Sequence, residues 1–161
     1  MSKNAILIAL VALGVLAVGG IAIRLTSGSS AELSNLERNQ QKWERQDLPH
    51  YQADVNIVCF CPFADRLPLT VEVFNGEIIS VTDGHGQSVA EDDPIRSMSE
   101  DDLLTVEGLF AYARRALQEA DSVNIEYEPT LGYPTTIGVD WIKEAMDDEM
   151  GVHISALHAL P

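Results

Sequence analysis

The sequence predicts an α+β domain: an antiparallel sheet of about six strands in helix-β-β-β-helix-β-β-β order, helices packed on one face, preceded by an N-terminal transmembrane helix. Three observations carry this expectation. Apolar residues recur at helical spacing in two stretches and at every second position in several others. Asn75-Gly76 joins two β-rich runs, and Asn-Gly is the strongest short hairpin signal because both turn residues must take positive φ. Hairpin links in both halves of the chain favour antiparallel pairing over a parallel α/β sheet, which needs long crossovers.

The elements follow in order. Ala5 to Ile23 is an unbroken apolar run of nineteen residues flanked by Lys3 and Arg24, nearly enough at about 1.5 Å per residue to cross a hydrocarbon core of roughly 30 Å. It is longer than the apolar part of a cleaved signal peptide, and Gly20-Ile21-Ala22 is a weak cleavage site, so residues 1–24 read as an anchor first and a signal segment second. Residues 25–30 read as a linker of small polar side chains, and 31–161 as one extracytoplasmic domain. Ser29 and Glu32 have capping-box spacing ahead of Leu33, Leu36 and Trp43, which predicts a helix over 31–46 ended by Pro49.

From Tyr51 the period changes to two. Tyr51, Ala53, Val55, Ile57, Cys59 and Cys61 share one face, the more apolar one, so both thiols are expected to point into the core. Leu69 to Phe74 and Glu77 to Thr82 form the Asn-Gly hairpin. Residues 83–102 are acidic and broken by glycine and proline, and read as a long solvated loop. Thr105 suits an N-cap, with Leu104 and Leu109 as a hydrophobic staple, for a helix reaching Ala120 on a stripe of Val106, Leu109, Phe110, Ala113 and Leu117. Val123 to Tyr127, Thr135 to Asp140 and Val152 to Leu157 alternate as strands.

Composition limits the function. The formal charge is -15, and the first 24 residues hold Lys3 and Arg24 but no acid, leaving eight basic against 25 acidic side chains. Such a surface repels phosphate backbones, so no nucleic-acid partner is expected. It suits either salty surroundings or ordinary solubility.

The chain resembles a family of small exported bacterial domains of unknown function, often lipoproteins. Three marks carry the resemblance: a Tyr-initiated strand ending in C-x-C (Tyr51 to Cys61), an Asn-Gly hairpin after it (Asn75-Gly76), and Gly132-Tyr133-Pro134 leading into a strand that ends at Asp140. The start of the second helix, Thr105 to Phe110, is also similar. The resemblance implies a location and a fold but no activity. The family's lipoprotein members carry a cysteine at the end of the export segment, and this chain does not.

Cys59 and Cys61 are the first candidate site. In an oxidising compartment two cysteines and no others invite a disulfide. In an extended strand, though, Cα atoms two residues apart lie about 6.6 to 7 Å from each other, the upper end of the disulfide range. A bridge, two packed thiols, and redox or metal work all stay open. His85, His153 and His158 could supply further metal ligands, but five residues apart on a strand the last two should face opposite sides unless a bulge intervenes. The acidic clusters lack the spacing of a calcium loop and read as solvated surface, with Asp140 and the 147–149 cluster as a weak calcium alternative; neither metal nor cofactor is expected. Tyr127, Tyr133, Pro134 and Trp141 form the candidate binding patch near the Gly-Tyr-Pro turn.

No G-x-S-x-G, H-E-x-x-H or phosphate loop occurs. The expected function is therefore a non-enzymatic, single-pass membrane-anchored binding or assembly module outside the cytoplasm, its partner an unidentified envelope protein or component. The alternative is a thiol-disulfide or metal-handling protein using Cys59 and Cys61.

Overall fold

The computed structural model describes residues 30–99, 103–143, 145 and 149–161. The chain divides into two compact units, Met1–Asn35 and Leu36–Pro161. In the first, residues 30–35 are described and are helical. The anchor expected over 1–24 and the linker over 25–29 lie outside the described residues, whereas Ser30, assigned to the linker, is already helical. No helix among the described residues is long and apolar enough to cross a membrane.

The second unit is an α+β fold with a six-stranded antiparallel sheet and two helices. Helix α1 covers 30–44, of which the part from Leu36 belongs to this unit. It is followed by β1 (His50–Val58), β2 (Leu69–Phe74), β3 (Glu77–Thr82), α2 (Val106–Glu119), β4 (Ser122–Tyr127), β5 (Pro134–Asp140) and β6 (Met150–Ala159), with 3-10 turns at Ala64–Arg66 and Pro94–Ser99. The spatial order is β3-β2-β1-β6-β5-β4. Each three-strand wing is thus a meander, and the wings meet where the first strand pairs with the last, Tyr51 opposite Ala159 and Val58 opposite Gly151.

Period-two patterning decides which face is buried. Tyr51, Ala53, Val55 and Ile57 of β1 stand level with Val73, Val71 and Leu69 of β2 on one side and with Ile154 and Val152 of β6 on the other, and all are buried. Helix α2 lies against β4 and β5. Its buried residues include Tyr112 and Ala116, while the expected Leu117 is only half-buried.

A polar knot sets the placement of helices on sheet. Thr105 caps α2 by accepting the Gly108 N–H at 3.0 Å. The Val106 N–H, one of the orphan donors of a helix start, donates to Tyr51 Oη at 3.0 Å. Tyr51 Oη in turn donates to Glu107 Oε2 at 2.8 Å, and Trp43 Nε1 donates to Glu107 Oε1 at 2.9 Å. One carboxylate therefore ties α1 to β1 through two aromatic side chains that pack edge to face with centroids 5.5 Å apart. Burial, and then the negative charge of Glu107, hold the Tyr51 phenol far above its usual pKa.

One expectation changes. Asn75 and Gly76 do take positive φ, 51° and 81°, but the segment after β3 is not a free loop. Val89 and Ile95 are buried, and Arg66 reaches across to Asp83 at 3.0 Å and Asp93 at 2.9 Å. Both carboxylates also accept main-chain N–H groups, Asp83 from His85 and Gln87 and Asp93 from Ile95, and these bonds together with Arg66 hold both below the usual carboxylate range. An acidic run looks solvated in sequence; here its acids close turns on themselves and on a distant arginine.

At the start of β1 both ring nitrogens of His50 meet oxygen, Nδ1 at 2.9 Å from the Pro161 main-chain oxygen and Nε2 at 2.9 Å from Glu72 Oε1. The hydrogen bond to Pro161, then that to Glu72, raises the His50 pKa above 6.5, and the His50 bond lowers that of Glu72.

Two outcomes follow from these contacts. Tyr51→Phe strands the buried Val106 N–H, while the exposed Glu107 oxygen turns to water, and should lower the unfolding free energy by about 1 to 3 kcal/mol at unchanged m-value in urea melts. The His50 contribution should be complete below pH 6.5 and fade as pH rises through the elevated folded-state value. The melting-temperature gap between the wild type and His50→Asn should thus be widest near about pH 6 and narrow toward pH 9.

Candidate functional site

Strand β1 ends at Val58 because the chain bends at Cys59 and Phe60. The bend brings the cysteine Cα atoms to 5.2 Å and the sulfurs to disulfide distance, closer than an extended strand allows. It also corrects the expectation that both thiols enter the core. Cys59 and Cys61 are half-buried, since the alternation that buries Tyr51 through Ile57 stops where pairing with β6 stops. Between them Phe60 points outward, 93% exposed, and the neighbouring Val58 is 64% exposed.

Val58, Cys59 and Phe60 wall one side of a depression of about 770 Å³ on the sheet face away from the helices. Its floor follows from register. Val58 lies opposite Gly151, Gly151 opposite Gly138, and Gly138 opposite Asn124, so one row across four strands has two adjacent positions without side chains. A Cβ at Gly138 would meet nothing within 4 Å, while one at Gly151 would come within 3.3 Å of Val58 Cβ. Ser122 and Asn124 form the far wall, Asp140 and Glu149 also line the depression, and none of its described lining residues is basic. Sequence reasoning missed Phe60, Gly138 and Gly151. The available signal was a glycine inside each of two alternating runs, where glycine weakens a strand and often marks close approach of a ligand or another backbone.

The four residues of the expected aromatic patch do not form one surface. Tyr127 pairs with Pro134 at one end of β5, and Trp141 follows the other end. Tyr133 is buried against Trp43, centroids 5.9 Å apart, and burial raises its pKa. Trp141 packs on Tyr112 at 6.0 Å and under the Arg115 guanidinium at 5.9 Å. The Gly-Tyr-Pro segment has an architectural role. Gly132 has φ +88° and lies so close to α1 that a Cβ would come within 2.7 Å of the Asn39 carbonyl oxygen. Lys42 Nζ donates to the Pro129 carbonyl beside it. The cis peptide among the described residues is at Leu67-Pro68.

A bulge between Asp54 and Val55 shifts the β1–β6 register, so that His153 stands opposite Asn56 and His158 opposite Gln52. Both histidines thereby occupy the open face, four residues apart along β1. Among the described residues no group of three or more His, Cys, Asp or Glu is placed to hold a metal ion.

Comparison with known proteins gives one match. The model of a family described as a family of unknown function (DUF6174) covers residues 35–159, nearly all of the second unit. No curated protein and no solved structure matches.

The two kinds of glycine should separate in a stability assay. Gly132→Ala meets both the positive-φ penalty, about 1 to 2 kcal/mol, and the clash with Asn39, and should lower the melting temperature. Gly138→Ala should be neutral or stabilising by up to about 1 kcal/mol, because alanine costs less backbone entropy in a strand.

Proposed function

The chain belongs to DUF6174, a family of unknown function, and with no activity to inherit from it we propose that residues 31–161 are a non-enzymatic binding or assembly module, tethered outside the cytoplasm by the apolar run at 5–23. The observation that carries this reading is Phe60. A fully displayed aromatic side chain at the margin of a side-chain-free depression is unfavourable in water, and aromatic anchors beside pockets are where binding energy concentrates.

A disulfide between Cys59 and Cys61 fits this role. It closes too short a loop to remove much chain entropy, less than the roughly 3 kcal/mol of a 15-residue loop. Its effect is on shape: it holds the bend that turns Phe60 away from the sheet. The length of the apolar run at 5–23 supports the location outside the cytoplasm. The half-burial of Cys59 and Cys61 favours a second reading, in which the pair exchanges disulfides with a partner.

Site-specific photocrosslinking in cells, with a benzophenone side chain replacing Phe60 or, on the distant β3, Ile79, distinguishes these readings. The binding reading expects a discrete adduct from position 60 and none from 79, unaffected by Cys61→Ser when the bend is kept. The exchange reading expects a reducible mixed disulfide in the Cys61→Ser chain. Identical adducts from both positions would sink the binding proposal.

A further inference from the structure

The depression also carries information about what it accepts, an inference that rests on the binding reading. Its floor is main chain, at Gly138 and Gly151. Its near wall is apolar, with Val58 64% and Phe60 93% exposed. Its lining charges are the carboxylates of Asp140 and Glu149, with no basic residue among its described lining. Beyond residue 24 the chain holds eight basic side chains against 25 acidic ones, so the long-range field points the same way.

We propose that the depression over Gly138 and Gly151 binds a peptide segment of a partner protein that pairs a large apolar side chain with a lysine or arginine. The apolar side chain lies on the glycine floor against Phe60 and Val58, and the cation faces Asp140 and Glu149. Two features make glycine necessary at this floor. A side chain at position 138 would project into open space and occupy the volume itself. Each strand-interior glycine also costs about 0.5 to 1 kcal/mol relative to alanine, a cost that packing within the fold does not recover at Gly138, where nothing approaches. Charge complementarity then selects the occupant: an acidic or phosphorylated segment is repelled, and a purely basic one gains nothing from the floor.

The test uses the full chain in neutral phosphatidylcholine nanodiscs, with empty nanodiscs as blank, and three fluorescent hexapeptides. These alternate lysine with phenylalanine, lysine with serine, and glutamate with phenylalanine. The lysine–phenylalanine peptide should bind at least about tenfold tighter than either control, a difference of roughly 1.4 kcal/mol. Gly138→Phe should remove that preference while leaving the thermal melt intact; if phenylalanine unfolds the chain, Gly138→Val carries the same test. Asp140→Asn combined with Glu149→Gln should weaken binding and flatten its salt dependence. Equal binding of the first two peptides, or binding indifferent to the residue at 138, would overturn the proposal. Binding of the glutamate–phenylalanine peptide that is lost in Gly138→Phe would overturn the charge inference yet leave the depression a binding site. No peptide binding that depends on position 138 would remove both.

Discussion

The fold depends on one carboxylate. Glu107 stands in the first turn of α2, receives the Trp43 indole of α1 and the Tyr51 hydroxyl of β1, and that hydroxyl receives the first free N–H of α2. Three donors on buried residues, the Trp43 indole, the Tyr51 hydroxyl and the Val106 N–H, are thereby satisfied around a carboxylate that itself stays open to water. The knot also makes the negative charge useful, because it lies at the positive end of the α2 dipole. Trp43 then stacks edge to face with Tyr133 as well as Tyr51, so the Gly-Tyr-Pro turn is seated on the same indole. Tyr51 near the start of β1, the start of α2 and the Gly-Tyr-Pro turn all converge on this point.

That convergence explains what the sequence made legible. Elements with local causes could be read: the positive φ of Asn75-Gly76, the Thr105 cap, the alternation of β1. What could not be read depends on partners far away in the chain. Cys59 and Cys61 continue the β1 alternation in sequence, yet the ladder to β6 ends at Val58, so the period stops meaning burial before the pattern itself ends. The 83–99 segment looks solvated because its acids are counted as surface, whereas Arg66 converts two of them into anchors. Tyr133 and Trp141 look alike as aromatics near a turn, but strand β5 separates them. His153 and His158 share a face only because a bulge falls between them.

The candidate site shows the same dependence at longer range. Neither Gly138 nor Gly151 is informative alone. Their meaning comes from register, which sets them side by side between Val58 and Asn124 and leaves a floor of bare peptide. A slip of one residue between β5 and β6 would bring side chains into that row and close it. The site is thus a property of strand pairing, with its apolar margin supplied by the bend at Cys59 to Cys61.

The central seam between β1 and β6 has a consequence for how the molecule comes into being. The strand made first has its permanent neighbour in the strand made last, with about a hundred residues between them. Neither wing can be a finished sheet without the other, since each would expose an apolar strand edge at the seam. A chain emerging N-terminus first must therefore hold β1 half-paired until β6 arrives, and the loop it closes is among the longest the fold allows, which makes assembly slow relative to local hairpins.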